Sequence, residues 1–349
     1  MKDRIRKFAF ELGFDLCGFS SAKEPSGAEF FRHWIQNGYH AEMDWMKRTF
    51  EKRINPALVL ENAKTIISVG VSYFLNDRNS LIDEKEKGRF WGKIARYSQF
   101  IDYHIVIKEK LELLAGFIMQ NYPGEKTLCY VDTGPVLERE FAQSSGIGFI
   151  GKHTNLISRS FGNWVLLGEV ITTVAIEPDQ PETNHCGKCR RCIEVCPTGA
   201  ITAPFTLDSS KCISYLTIEN KGVIPVDLRK KIGNHLFGCD DCLEVCPWNR
   251  FAGEGRLMTE SLRKLPREID IATIFDLDNS SFRKMFGGTP IQRTGLRRLL
   301  RNACVVLGNM GNKAAIKLLE KVLQRNDPLI NEHALWAINE IRARQSAYP

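Results

Sequence analysis

The sequence predicts an α+β chain in three parts: an α/β domain over residues 1–178, a cysteine-dense module over 179–255 and a helical region over 256–349. Three observations carry this division. Strand-like and helix-like runs alternate as far as residue 178. Eight of the eleven cysteines then fall between Cys186 and Cys246. Beyond Pro247 the pattern reads as helical throughout.

Residues 2–12 form an amphipathic pattern, with Ile5, Phe8, Ala9 and Leu12 on one side. Thr65–Phe74 (TIISVGVSYF) has the β-branched and aromatic composition of a strand. Residues 77–88 are polar and charged and read as an exposed loop. Residues 102–119 repeat apolar side chains at helical spacing through Ile105, Ile107, Leu111, Leu114 and Ile118. Residues 127–131 read as a buried strand, 136–143 as a helix closed by Gly146, and 164–176 as a further strand. Glu177-Pro-Asp-Gln-Pro181 is a linker, because two prolines disfavour both helix and strand. At the far end, helices are expected over 295–307, 314–323 and 329–341, separated by Gly308, Gly311 and the Asn326-Asp-Pro turn. Helices of this length with short turns resemble HEAT-type units, and so few of them need the main body to pack against.

The 349 residues, 43% hydrophobic and 26% charged, describe a globular protein of two domains or slightly more. No apolar run reaches membrane-spanning length; the best, residues 164–176, is interrupted by Glu169. The charged N-terminus lacks a signal-peptide core, so a cytoplasmic, membrane-free monomer is expected. Structural disulfides are rare in that compartment, so the cysteines call for another role. The net charge of +7 is concentrated from Arg283 onward, where twelve basic and four acidic residues give +8. Arg293, Arg297, Arg298 and Arg301 lie in and before a predicted helix, with Arg297 and Arg301 on one face. A compact basic end of this kind suits a nucleic-acid backbone; a solvated helix face is the plainer alternative.

The cysteine spacing is more specific. Cys186-x2-Cys189-x2-Cys192-x3-Cys196-Pro197 is a complete bacterial ferredoxin run. Cys212, then Cys239-x2-Cys242-x3-Cys246-Pro247, is the same run with its first cysteine displaced upstream. In two-cluster ferredoxins the cysteine before proline ligates the other cluster. The spacing therefore predicts two 4Fe-4S clusters, one on Cys186, Cys189, Cys192 and Cys246, the other on Cys196, Cys212, Cys239 and Cys242. Zinc, with its paired ligands, leaves the third cysteine of each run and the repeated Cys-Pro unexplained. Cys17, Cys129 and Cys304 read as small buried hydrophobes.

Seven further strings occur in order: Glu51-Lys-Arg53, Asp102-Tyr-His104, Tyr130-Val-Asp-Thr-Gly-Pro135, Gly146-Ile-Gly-Phe-Ile-Gly-Lys152, Thr154-Asn-Leu-Ile157, Cys212-Ile-Ser-Tyr-Leu-Thr217 and Phe237-Gly-Cys-Asp-Asp-Cys242. With the cysteine module and the helical end, they make the chain resemble the epoxyqueuosine reductase family over nearly its whole length. The resemblance implies a nitroreductase-like N-terminal domain holding cobalamin, and two 4Fe-4S clusters. It implies reduction of epoxyqueuosine to queuosine at the tRNA wobble position, the last step of queuosine biosynthesis, with an electron donor that the sequence leaves unidentified. No Asp-x-His-x-x-Gly string is present, since Ile107 stands where glycine is needed. That agrees with a family whose cobalamin takes no protein histidine ligand.

Opening the epoxide needs electrons and a proton for the departing oxygen, hence a general acid. The resemblance assigns that role to Asp132, where burial against the cofactor is expected to raise its pKa. Capping a helix near Pro135 is the structural alternative. Arg53, Leu156 and Ser214, with Leu167 beside them, are expected to contact cobalamin; Ala95 is given no chemical role. Lys152 reads as exposed, and His104, His153, His185 and His235 as hydrogen-bonded structural residues. Trp164 and Trp336 read as core. Two other functions remain in view. An electron carrier would have no use for Asp132. A reductive dehalogenase would be expected to carry a twin-arginine signal and to lack the basic end.

Overall fold

The computed structural model describes residues 1–76, 89–263 and 265–347; the loop expected at 77–88 lies outside the described residues. Eleven strands are present among them: β1 Leu16–Ser21, β2 Thr65–Ser72, β3 Trp91–Ile94, β4 Thr127–Tyr130, β5 Phe149–Ile150, β6 Leu156–Ile157, β7 Val165–Thr172, β8 Ile201–Ala203, β9 Thr206–Leu207, β10 His235–Phe237 and β11 Glu268–Asp270. Four of them make the central sheet, in the order β1-β2-β7-β4.

Every pairing in that sheet is antiparallel. Alternation of strands and helices along the chain had pointed to an α/β arrangement; the observed sheet is instead that of an α+β fold. β1, whose sequence LCGFSS has little strand character, escaped the sequence reading and pairs along its whole length with β2. β2 reads as one continuous apolar run because both of its faces are covered. The long helix Tyr103–Asn121 lays Ile107, Leu111, Leu114 and Ile118 against Ile67, Val69, Val71 and Val170. The short helix Glu138–Ser144 lays Phe141 against Ile66 and Ile171 on the other face. Gly168 permits the first contact, since a Cβ there would lie 2.8 Å from Ile107 Cγ2. β4 is an edge strand and only half-buried, not buried as expected.

A second sheet, β10-β3-β11, brings one strand from the first third of the chain together with two from the last third. β3 pairs parallel with β10 and antiparallel with β11. Its apolar side joins the core of the C-terminal helices Gly295–Met310, Lys313–Leu323 and Pro328–Ala347 through Ile94, Leu236, Phe275, Leu299 and Ala303. Trp164 and Cys304 are core residues, whereas Trp336 and Cys129 are only partly buried. No helix among the described residues is long and apolar enough to cross a membrane.

The arginines of the Gly295–Met310 helix depart from the expected phosphate-facing stripe. Arg301 is 0% exposed. Its guanidinium donates to the carbonyls of Leu216, Asn220 and Gly222. Half-buried Arg298 donates to the Ile218 carbonyl, and Asn302 to those of Thr217 and Leu236. The last turn of an α-helix leaves carbonyls without partners and carries partial negative charge. Arg298, Arg301 and Asn302 meet that need at the end of the Ile213–Ile218 helix. Arg301 is thereby removed from any nucleic-acid surface. Arg297 is exposed and paired with Asp327.

Candidate active site and cysteine centres

Short turns and the two Cys-Pro sequences bring the eight cysteines into two groups. Cys186, Cys189, Cys192 and Cys246 line one cavity of about 230 Å³, with Lys152 and Trp248 on its wall. Burial, and then the neighbouring Cys186, Cys246 and Cys189, push the Cys192 thiol up to about 11. Cys242 is likewise raised by burial and by Cys212 and Cys196 beside it, and Cys239 by burial, Cys242 and Cys212. Four sulfurs crowded in a buried space repel one another as thiolates, and a bound metal centre relieves that repulsion. The donor set and its grouping therefore fit two iron–sulfur clusters. Lys152 is not a free surface lysine: its Nζ donates to the carbonyls of Gly187 and Cys189 at 2.7 and 2.9 Å. Ser214 Oγ accepts from the Cys239 N–H at 3.1 Å, fixing the loop of the second group.

Asp132 lies just beyond β4, at a φ of +58°. Its N–H is held by the Glu138 carboxylate, and Gly134 packs so closely on Tyr130 that a Cβ would lie 2.3 Å from the ring. The side chain is 59% exposed in a recess walled by titratable groups. Tyr103 Oη donates to Asp132 Oδ2 at 2.8 Å, and His104 Nε2 stands 3.4 Å from the same oxygen. The other imidazole nitrogen is 2.7 Å from Asp102 Oδ1. Arg293, itself exposed, places Nη1 2.9 Å from the His104 ring nitrogens and so borders the recess.

These contacts set the charges. Desolvation raises the Asp132 carboxyl, but hydrogen bonds from His104 and Tyr103 and the charges of His104 and Arg293 outweigh it, leaving its pKa below the ordinary value. The expected upward shift is thus reversed in this state. Burial pulls His104 down, yet the hydrogen bonds to Asp102 and Asp132 raise it overall. Glu138, whose carboxyl meets that of Glu169, is pushed up to about 7, by burial first and then by the Asp132 charge. Asp132 does not cap the next helix, which starts at Glu138 after Leu137.

Of the other expected site residues, Arg53 is 7% exposed; its Nη1 donates to the Val136 carbonyl at 3.1 Å, and it lies in the field of Glu138 and Asp132. Leu156 and Leu167 share one small apolar cluster, with Leu167 the less buried. Tyr97 links the two chemistries: its ring packs on Tyr103, and both Asp132 and Asp240, beside Cys239, act on its hydroxyl. Tyr103, Glu138 and Glu169 were missed as site residues, and His104 was read as structural; the visible signal was Glu169 inside an apolar run.

A family model for the 4Fe-4S double cluster binding domain matches residues 185–249. A second, described as epoxyqueuosine reductase QueG, matches residues 53–133. An epoxyqueuosine reductase of Xanthomonas campestris is 40% identical over 339 residues, covering 96% of this chain and 94% of the relative. The chain belongs to the epoxyqueuosine reductase family. The Escherichia coli epoxyqueuosine reductase is 35% identical over 99% of this chain and 91% of its own length. A crystal structure of an epoxyqueuosine reductase with an epoxyqueuosine-modified tyrosine tRNA stem loop matches with a TM-score of 0.87 and 31% identity, covering 97% of this chain and 90% of that one. The Bacillus subtilis epoxyqueuosine reductase, with its catalytic aspartate loop swung out of the active site, matches with a TM-score of 0.87 and 30% identity over the same shares. Membership makes this chain an oxidoreductase of tRNA modification that binds iron–sulfur clusters.

Proposed function

We propose that this enzyme removes the epoxide oxygen of epoxyqueuosine at the wobble position of tRNA, with Asp132 delivering a proton to that oxygen. Cys186, Cys189, Cys192 and Cys246 hold one 4Fe-4S cluster; Cys196, Cys212, Cys239 and Cys242 hold the other. Cobalamin, implied by the family resemblance, would supply when bound the electrons that open the ring, and the clusters are suited to carrying single electrons from an unidentified donor. Arg53, Leu156, Leu167 and Ser214 would hold the cobalamin, with the partly buried Leu167 offering apolar surface and Arg53 bonded to the Val136 carbonyl near the Asp132 loop. The second cysteine group stands across Tyr97 from the acid, so a redox centre can reach the recess without being exposed by it.

The observation that carries this reading is Asp132 itself, a non-glycine residue held left-handed, open to solvent and bridged by Tyr103 and His104. A left-handed aspartate is uncommon and is kept only where the surroundings determine it. Tyr103 keeps its proton, because burial and the Asp132 charge raise it well above a normal phenol, and so it orients Oδ2 as a donor. His104, oriented by Asp102, is the proton partner of Asp132. The wobble base must leave the anticodon stack to reach this recess, and Arg297 and the exposed lysines of the C-terminal helices are available to its backbone. A single-turnover assay with reconstituted enzyme, epoxyqueuosine-bearing stem loop and a strong chemical reductant tests the reading. Formation of queuosine by wild type and its loss in Asp132→Asn are expected; equal product from both would overturn the role of Asp132.

A further inference from the structure

Converting an epoxide to an alkene consumes two electrons and two protons: both C–O bonds break, a C=C bond forms and the oxygen leaves as water. The reductive chemistry brings the electrons. A single aspartic acid brings one proton and must be reloaded before the second is needed.

Beneath Asp132 lies a pair of carboxyl groups that the reaction as described leaves unused. Glu169 sits mid-strand in β7, directly across from Ser68 on β2 and Tyr130 on β4, on the face covered by the Glu138–Ser144 helix. Its exposure is 0%. Neither Glu169 oxygen receives an N–H or hydroxyl among the described residues, and Ser68 Oγ opposite is equally unpartnered. What meets Glu169 is the carboxyl of Glu138. Two neighbouring carboxylates repel, so these two can bond only when the pair holds a proton. Burial and the charges of Glu138 and Asp132 keep Glu169 in its acid form well above the ordinary range. Glu138 in turn grips the Asp132 N–H. The charged groups facing this pair are Asp132 from the β4 loop, Arg53 from the Phe50–Ile54 helix and Arg139, next to Glu138 on its helix. An unpaired acid in mid-sheet costs several kcal/mol if ionised, and no fold requirement explains it: a valine would suit this apolar run.

We infer that Glu169 and Glu138 form a proton store that reloads Asp132, so that one recess delivers both protons of the reduction. After the first transfer Asp132 is a carboxylate. Glu138 is the weaker acid of the two, but the departing oxygen is a far stronger base than either carboxylate, so net transfer from Glu138 through Asp132 to that oxygen runs downhill. Glu138 draws on Glu169, and half-buried Glu138 is refilled from solvent. Both glutamates act through Asp132 and are positioning residues. The inference rests on the proposed role of Asp132.

The test uses the reconstituted holoenzyme and a modified stem loop, with wild type, Glu169→Gln, Glu138→Gln and Asp132→Asn. Infrared spectra of the resting enzyme at neutral pH should show a protonated-carboxyl C=O band that Glu169→Gln removes. Steady-state turnover of wild type should fall as pH rises through about 7, where Glu138 loses its proton. In both glutamine variants that alkaline limb should move to lower pH. Turnover should drop about tenfold above neutrality, within the range of proton-transfer contributions, and recover as solvent protons become able to load Asp132. Wild-type profiles in both glutamine variants, or persistence of the infrared band in Glu169→Gln, would overturn the store. Should Glu169→Gln lose its iron, Glu138→Gln decides on its pH profile. Normal turnover in Asp132→Asn would instead remove the reading beneath it, whatever the glutamine variants do.

Discussion

The chemistry of the recess is set by which neighbours each acid has. Asp132 and Glu138 are both carboxyls within one loop and one helix turn, yet their pKa values are driven apart. Asp132 has an imidazole, a phenol and a guanidinium within reach, whereas Glu138 has mainly another acid and a buried position. Such separation distinguishes donors from acceptors within one site. Asp132→Asn preserves size and polarity but has no acidic proton. Turnover should fall about 100-fold or more, while iron content and the corrinoid spectrum stay as in wild type. His104 offers a test by linkage. Its folded-state pKa is raised above the ordinary 6.5, so the stability it contributes is fully present below about pH 6.5 and is lost as pH rises through the raised value. Thermal melts of wild type and His104→Asn should therefore differ most below pH 6.5 and converge at alkaline pH. A constant difference across that range would show that the imidazole is not titrating there.

At the scale of single elements, the helix Gly295–Met310 is the clearest case of one residue type serving two purposes. Its arginines are four and three positions apart, and their order in sequence does not reveal which way each faces. Arg297 reaches solvent. Arg298 and Arg301 turn inward onto the carbonyls that end the Ile213–Ile218 helix, the helix that follows Cys212. Arg301→Ala would leave several buried carbonyls without donors. It should cost roughly 3 kcal/mol of stability, read as a lowered Tm, with the salt dependence of tRNA binding unchanged. Arg297→Glu should do the converse: little change in Tm, weaker tRNA binding, and a shallower dependence of affinity on salt concentration. The pair of variants separates a structural arginine from a phosphate-facing one by two independent measurements.

For the molecule as a whole, the consequential feature is the β10-β3-β11 sheet. It ties a strand near the active-site side, a strand just before Cys239 and a strand at the start of the helical region into one unit. The Cys239 loop, just after β10, and the chain that leads from β3 to Tyr103 and His104 are therefore held by shared backbone and not by a flexible linker. Holding redox centres and reacting groups on rigid elements keeps their separation fixed through turnover. Loss of one cluster should be felt locally before it is felt globally. Cys212→Ala should lower iron by about half or less, in keeping with one damaged cubane of two, and the remaining spectrum should be that of a single 4Fe-4S cluster. Complete loss of iron in this variant would show that the two groups assemble as one.

The sequence alone was sufficient to mark the cysteine module, because ligand spacing along a short chain constrains geometry directly: the ferredoxin runs lie within residues 185–249, the span that the 4Fe-4S double cluster model matches, and Cys186, Cys189, Cys192 and Cys246 line one cavity. It was also sufficient for the long helix 103–121 and for β2, whose apolar patterns are strong and local. It was insufficient wherever the outcome depended on distant partners. β1 gained its strand from pairing with β2, which outweighed its weak propensity. The antiparallel sheet could not be read from alternating elements, because alternation does not specify strand direction. Arg301 looked like a surface charge until Leu216, Asn220 and Gly222, about eighty residues away in the chain, were placed against it. Asp132 was expected to be a raised acid because burial against the cofactor would disfavour its charge. Tyr103 and His104 come from another helix and Arg293 from the far end of the chain, and together they lower it. Glu169 was visible only as a flaw in an apolar run; tertiary packing by the Glu138–Ser144 helix turns that flaw into a buried acid in the field of Glu138 and Asp132. Local order and ligand spacing are written along the chain, whereas the charge state of a buried group belongs to whatever folding brings beside it.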